Sequence, residues 1–233
     1  MFDQLSSLDL SRTTWKIKAR VTRMWPAVPN SATASDAIKG VPHSATASDA
    51  IKGYNLILLD DNDCHVHAYI YPDHWKDHGD KIKEGGVYVI SNFYTKQALG
   101  TLKPVSSRLI INFSPSTTVD PVIDDIMISN HKFEFVDLSE LFAIAQANGE
   151  AKFPEYATDV MGVIEGYETL SKIGTRFGQR DIVHFRLTDG RHSSKVTVWG
   201  NLAITIEAQY REIQKGEPVI VILTTTKLKI FHS

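Results

Sequence analysis

A mainly β protein whose strand pattern occurs twice is what the sequence predicts, and three observations carry that expectation. Several stretches alternate polar and apolar residues with the period of two of an extended chain, among them Trp15 to Thr22, His65 to Tyr71 and Lys195 to Trp199. Turn-forming clusters, Asp60-Asp61-Asn62-Asp63, Glu84-Gly85-Gly86 and Asp189-Gly190, punctuate these runs. After Phe153-Pro154 the order of elements begins again.

The first alternating run, WKIKARVTRMW, sets Trp15, Ile17, Ala19 and Val21 against Lys16, Lys18, Arg20 and Thr22, a half-buried strand with a basic exposed face. A tandem duplication follows: VPNSATASDAIKG from Val28 to Gly40, then VPHSATASDAIKG from Val41 to Gly53. Two copies do not make a solenoid, which needs about three units to bury a core. Their Pro, Ser, Thr, Ala and Gly content reads as one lengthened surface loop, which costs only about 0.6 kcal/mol per doubling. Tyr54 to Leu59 and His65 to Tyr71 then form a hairpin, Pro72 to Gly79 a short helix, Val87 to Tyr94 a strand, Gln97 to Ser107 an exposed loop, and Leu109 to Phe113 a fifth strand. Ser114 to Asn130 reads as a linker, and Lys132 to Ala147 as an extended lead into an amphipathic helix ended by Asn148 and Gly149.

The second round contains a strand from Thr158 to Tyr167, a loop from Glu168 to Gln179, and a strand from Arg180 to Thr188. KVTVWG, Leu202 to Tyr210 and Glu217 to Thr224 supply the next strand, a helix and a fourth strand; a fifth is begun by Leu228 to Phe231 as the sequence stops. Within KVTVWG, Val196 and Val198 take one face, and Lys195, Thr197 and Trp199 the other. An indole on a polar strand face is what a base-stacking platform needs, because any nucleobase can lie on its flat surface. Closing one end of the core is the other role open to Trp199.

Strand, long loop, hairpin, helix, strand, loop and strand is the order of the OB-fold, a five-stranded Greek-key barrel. The fold class expected is therefore mainly β, with two tandem OB-fold barrels, the second incomplete at its fifth strand. The expected domains are a first barrel over 1–115 with the duplicated loop at 28–53, a linker and amphipathic helix over 116–152, and a truncated second barrel over 153–233. Three sets of residues carry a closer likeness: Trp15 to Thr22, then Asp159-Val160-Met161-Gly162-Val163 with Leu187-Thr188-Asp189, and above all Val198-Trp199-Gly200. In these the chain resembles the large DNA-binding subunit of replication protein A, in its plant versions and plant proteins like them.

That resemblance implies single-stranded DNA as partner, in replication, repair or recombination, and a nuclear location. It places Trp199 as the strand aromatic of the second barrel and Phe231 as its loop aromatic. Tyr69 or Tyr71 is the strand aromatic of the first barrel, and Leu102 stands where a loop aromatic belongs, offering apolar contact without a π-face. Arg20 matches a backbone-contacting arginine; Arg23, Lys96, Lys103, Arg108, Arg176, Arg180 and Lys195 are assigned to phosphates by groove position. Other replication protein A subunits are implied partners, although the zinc domain and assembly segment of the family are absent from this sequence.

Other chemistries are poorly supported. The formal net charge of −2 gives no global basic signal, so cations must act locally in a groove. One cysteine, Cys64, excludes an internal disulfide and a Cys-rich zinc site within these residues. His65 and His67 share a strand face, Cys64 points away from them, and His74 and His78 lie beyond a proline turn, so these residues do not make a metal cluster; Asp60, Asp61, Asp63, Asp124 and Asp125 read as turn and linker carboxylates. No phosphate-binding loop, nucleophile elbow or HExxH string is present. No metal, cofactor or catalysis is expected. No apolar run reaches the roughly 20 residues that span a bilayer, nor does the N-terminus carry a secretory signal, so no membrane partner is expected. Two alternatives to DNA binding stand: a protein-interaction barrel, or a degenerate copy derived from a mobile element with reduced DNA affinity.

Overall fold

A computed structural model describes residues 2–27, 51–99, 102–123, 127–150, 155–175, 178–213 and 216–230. They fall into two compact units, one holding the described residues up to Phe133 together with 155–157, the other those from Glu134 to Glu150 and from Thr158 onward.

The first unit contains β1 (Lys16–Ala27), β2 (Gly53–Leu59), β3 (His65–Ile70), helix α1 (Pro72–His78), β4 (Val87–Ser91), β5 (Tyr94–Gln97), β6 (Leu102–Lys103), β7 (Leu109–Asn112) and β8 (Thr118–Val122). Strands β1, β2 and β3 form an antiparallel meander; β3 pairs in parallel with β7, β7 antiparallel with β5, and β1 antiparallel with β4. β4 and β5 are two halves of one strand bent at Asn92, which takes a left-handed φ of 61°, a conformation asparagine tolerates better than most side chains. The bend lets one half pair with β1 and the other with β7. That closes the five-stranded barrel expected from the sequence.

Alternation decides what fills it. Ile17, Ala19 and Val21 of β1 meet Leu56 and Leu58, Val66, Ala68 and Ile70, and Ile111 in one buried cluster, which Trp15 and Phe113 also join. The alternation shifts once. Val21 pairs with Leu58 but Arg23 with Ile57, so Thr22 is the extra residue of a β-bulge. Its hydroxyl donates to the Ile57 carbonyl at 3.3 Å. Beyond the bulge Met24 packs on the core, and Arg23 and Trp25 turn outward. Residues 28–50, which hold most of the duplication expected as a loop, lie outside the described residues; on either side of them the Lys52 N–H donates to the Ala27 carbonyl at 2.7 Å.

Two expectations need correction here. The stretch read as a linker from residue 116 is partly built into the barrel: β8 pairs with β4 along Thr118–Val122, and Ile128 is buried with Leu59 and Val87. Buried Val119 and Ile128 supply the apolar contacts that hold it, and neither breaks the Pro and Asp pattern that suggested a linker. Part of the exposed loop at 97–107 is the short strand β6, which pairs in parallel with β9 (Glu155–Tyr156).

The second unit contains helix α2 (Leu141–Glu150), β10 (Thr158–Thr175), β11 (Gly178–Thr188), β12 (Ser193–Trp199), helix α3 (Asn201–Glu212) and β13 (Ile220–Thr226). Its sheet has the order β12-β11-β10-β13, and no fifth strand joins it among the described residues. Val160, Val183, Phe185, Leu187, Val198 and Ala203 form its core, capped by Leu138 and Leu141. The region from 168 to 179, expected as a loop, is instead the far half of a long hairpin. Register shifts on either side of Glu168 absorb the irregular residues and let Ser171 to Thr175 pair with Gly178 to Ile182. Helix α2 follows the extended lead as expected, but it runs through Asn148 and Gly149, which were expected to end it.

Glu207 ties α3 to this hairpin. Its carboxylate accepts from the Tyr167 hydroxyl at 2.9 Å, the Leu170 N–H at 3.1 Å and Arg211 Nε at 2.6 Å. Burial works against its charge, but those donors outweigh it and hold the Glu207 pKa below its ordinary value. Tyr167 lies stacked on Tyr210 with centroids 3.8 Å apart; burial, then the Glu207 carboxylate, push its phenol well above the usual range.

Candidate nucleic-acid interface

The outer face of the first barrel is read from strand register. One row crosses five strand segments as Trp25, Asn55, Tyr69, Asn112 and Tyr94; the next runs Arg23, Ile57, His67, Ile110 and Lys96. Aromatic rings therefore stand in one row and cations at both ends of the other. Trp25 lies parallel to His67, with centroids 6.2 Å apart and planes 4° apart. His67 Nε2–H donates to Asn55 Oδ1 at 2.9 Å. Burial lowers the His67 pKa to about 4, so the ring is neutral at physiological pH. Lys96 is exposed, with its Nζ 5.1 Å from the centre of the Tyr94 ring.

Tyr69 and Tyr71 share this face, their rings edge to face at 4.9 Å. Tyr69 is partly buried and its hydroxyl donates to the Lys52 carbonyl; burial, reinforced by Tyr71, raises its pKa. Tyr71, at 43% exposure, has the freer ring. Tyr71 is thus the better placed of the two to receive a base, with Tyr69 as its support.

Arg20 departs from its expected role. It is buried, with Nε and Nη2 donating to the Ile128 carbonyl at 3.2 and 3.0 Å and Nη1 to the Gly85 carbonyl at 2.7 Å. Its β1 position faces Leu59 and Val87, the outer-face residues that Ile128 covers. Arg20 is a brace beneath residues 127–130 and presents no open guanidinium to a phosphate. Arg23, past the bulge, is partly exposed on the open part of the face. Lys103 sits with its Nζ 4.9 Å over the Tyr156 ring, and Arg108 is exposed. The side chain of Leu102 lies outside the described residues.

In the second unit, Lys195, Thr197 and Trp199 pair across β12 with Arg186, His184 and Ile182 of β11. Val196 and Val198 pack on the core, so the two faces of KVTVWG divide as the alternation requires. Trp199 is 46% exposed. His184 Nδ1 lies 2.9 Å from Thr197 Oγ1, and Arg186 Nη2 donates to Ser193 Oγ at 2.6 Å. Arg180, partly exposed, continues the same alternation on β11. Glu165 and Glu168 pair opposite Arg186 and His184, adding negative charge at the side of this face. Beside them a hollow of about 310 Å³ is lined by Gly166, Glu168, Phe185, Arg186 and Lys195. Phe231 and Arg176 lie outside the described residues.

The structure adds Trp25, Tyr94 and Arg186 to the residues expected from sequence. Strict alternation from Trp15 would turn Trp25 inward; the bulge at Thr22 reverses it, and nothing in the local string announces a bulge. Tyr94 emerges only through the bend at Asn92. Arg186 could have been found, since it alternates with Arg180 on one strand.

The other candidate chemistries find little geometry. Asp60 is a buried turn anchor that accepts from the N–H groups of Leu5, Asn62 and Cys64. Among the described residues no three His, Cys, Asp or Glu side chains converge as a metal site, and no helix is long and apolar enough to cross a membrane.

No protein-family model matches the sequence, and no curated protein matches it. Among solved structures the chain is similar to a chain of a replication protein A heterotrimer bound to single-stranded DNA, with a TM-score of 0.54 and 21% identity over 97% of this chain and 52% of that one. This chain therefore spans about half the length of that neighbour. DNA-binding domain A of replication protein A from S. cerevisiae aligns at 19% identity and a TM-score of 0.35, covering 53% of this chain and 96% of that one. A fragment of Pot1 from Schizosaccharomyces pombe bound to single-stranded DNA aligns at 14% identity and a TM-score of 0.35, covering 54% of this chain and 89% of that one. The first likeness, over nearly the whole chain, shows the fold: mainly β, with tandem OB domains.

Proposed function

We propose that the chain binds single-stranded nucleic acid, DNA in the first instance, by stacking bases on Trp25, Tyr71 and Trp199 while Arg23, Lys96, Arg180, Arg186 and Lys195 track the phosphates. One observation carries this reading. The first unit presents Trp25, Tyr71 and Tyr94, and the second Trp199, exposed or half-exposed on the outer face of a sheet and flanked by cations. Stacking supplies about 1–3 kcal/mol per base and reads a π-face, so base preference is weak. Two such faces in one chain add affinity through effective concentration. The likeness to the replication protein A chain supports a place in DNA replication, repair or recombination, and hence in the nucleus. The chemistry is passive, with every named residue holding or positioning the strand and none acting on it.

Fluorescence anisotropy with labelled oligo-dT and with a duplex of equal length tests the reading. Tighter binding of the single strand, weakened steeply by salt as several phosphate contacts require, supports it. Equal affinity for both, or binding indifferent to salt and to the pair Trp25→Ala and Trp199→Ala, overturns it.

A further inference from the structure

The hollow on the outer face of the second sheet carries an inference about base identity, which rests on the DNA-binding reading above. Glu168, Arg186 and Lys195 line it, with Gly166 and Phe185. Its volume of about 310 Å³ is that of a small ligand pocket. Three neighbouring strands supply the polar groups. Lys195 of β12 pairs with Arg186 of β11, and Glu168 of β10 pairs with His184, the next residue on the same face of β11. The register shift after Glu165 places Glu168 there, since one extra residue on β10 keeps both glutamates on the outer face. Gly166, at a φ of 56°, adds no side chain to the hollow; a Cβ built on it would already lie 3.7 Å from Arg186 Cδ.

Charge argues against a phosphate in this hollow. Glu165 and Glu168 stand opposite Arg186 and His184, so two carboxylates offset the cations of Arg186 and Lys195, and an anion gains little. A neutral ligand with both donors and acceptors fits better. Among the described residues the Glu168 carboxylate and the Lys195 ammonium make no hydrogen bond or ion pair. Arg186 uses one of its N–H donors on Ser193 Oγ and keeps the others. The hollow thus offers a donor beside two acceptors, an Arg186 N–H and the two oxygens of Glu168. Cytosine shows guanine the same pattern in a base pair, and guanine answers with O6, N1–H and N2–H. Thymine and cytosine turn a lone pair on one carboxylate oxygen, and adenine brings one amino group where two neighbouring donors are wanted.

We infer that this hollow is a guanine-selecting subsite on the DNA face of the second unit. Glu168 accepts from guanine N1–H and N2–H, Arg186 donates to O6, and Lys195 stays with the adjoining phosphate. Trp199 lies along β12 from Lys195 by about 13 Å, at the rise of an extended strand. One strand can therefore stack a base on the indole and seat another in the hollow. Stacking stays indifferent to base identity, and selection is confined to this one position.

Anisotropy titrations of the full chain with a dT strand, and with the same strand carrying one central dG, dI, dA or dC, test it. The dG strand is expected to bind about five- to tenfold tighter than all-dT, the lower end of what a bidentate base contact discriminates. The dI strand, which lacks the N2 amino group, is expected to fall between them, and dA and dC to bind no tighter than all-dT. Glu168→Gln replaces one acceptor oxygen with a donor. It is expected to erase the difference between dG and dT strands and to raise the affinity for all-dT, because a negative charge leaves a face that meets phosphates. Equal binding of dG and dT strands by the wild-type chain overturns this inference and leaves the DNA-binding reading standing. A chain that binds none of the strands overturns both. A guanine preference that survives Glu168→Gln, or that dI reproduces in full, overturns the assignment to this hollow.

Discussion

The ring of Tyr69 lies directly over the bare α-carbon of Gly53: a Cβ built there would stand 2.6 Å from Tyr69 Cζ and 2.5 Å from the Ile70 carbonyl oxygen. With its φ of 147°, Gly53 occupies backbone that side chains avoid. Gly53→Ala is therefore expected to destabilise the first unit by about 1–3 kcal/mol, the usual range for overpacking. It also lifts the ring that supports Tyr71. Urea unfolding and oligo-dT anisotropy on the same variant measure the two effects, and a variant with wild-type values in both would remove Tyr69 from the platform.

Arg20 and Arg23 separate stability from binding. Arg20→Met removes the donors that the buried Ile128 carbonyl accepts from, a loss of about 1–3 kcal/mol, and is expected to lower the unfolding midpoint with little change in the DNA affinity of the folded fraction. Arg23→Ala is expected to do the reverse, weakening binding and shrinking its salt slope by about one phosphate contact. Denaturation and salt titration of both variants check the pairing.

His67 makes the first unit acid-sensitive. Its pKa is about 4 in the folded chain and about 6.5 in the unfolded one. As pH falls below 6.5 the unfolded chain takes up a proton that the folded chain refuses, so stability is complete above that pH and drains away down to pH 4. The total is on the order of 3 kcal/mol. His78, whose pKa burial also lowers, adds in the same direction. His67→Asn is expected to flatten the profile of unfolding free energy against pH over that window, and a profile as steep as wild type would show that His67 is not its source.

Glu207→Gln keeps the shape of the carboxylate and loses its charge. It is expected to destabilise the second unit by about 1–3 kcal/mol, because the Leu170 N–H and the Tyr167 hydroxyl lose an ionised acceptor. The folded pKa of Glu207 is depressed, so this contribution is present above the ordinary glutamate range and is lost as pH falls through it; thermal unfolding at neutral and acid pH should show the variant's deficit only at neutral pH.

Trp25→Ala and Trp199→Ala are each expected to weaken oligo-dT binding by the worth of one stacked base, about 1–3 kcal/mol, which titration of the two variants would read as roughly a five- to 150-fold rise in dissociation constant. Equal losses would mean that both units grip the strand, and a loss confined to Trp25 would place the grip in the first unit alone.

Alternation made the cores of both units legible in the sequence, since Ile17, Ala19 and Val21, or Val196 and Val198, announce their side by period alone. It also made Trp199 legible, because no bulge intervenes on β12. Carried past Thr22, the same rule would turn Trp25 inward, because the one extra residue there inverts everything after it. It could not reveal that Arg20 is covered, since the cover comes from Ile128, more than a hundred residues along the chain. The stretch at 168–179 reads as loop because most of its residues are exposed and polar, and beyond Leu170 the backbone pairing of Ser171 to Thr175 with Gly178 to Ile182 carries it.

The bond between Lys52 and Ala27 joins the two ends of the duplicated segment. Both copies of that segment open with Val-Pro and close with Ala-Ile-Lys-Gly. Removing either one returns a Lys-Gly step to the mouth of the loop, with a glycine again beneath Tyr69. A change in copy number would thus leave the residues through which β1 and β2 pair unchanged.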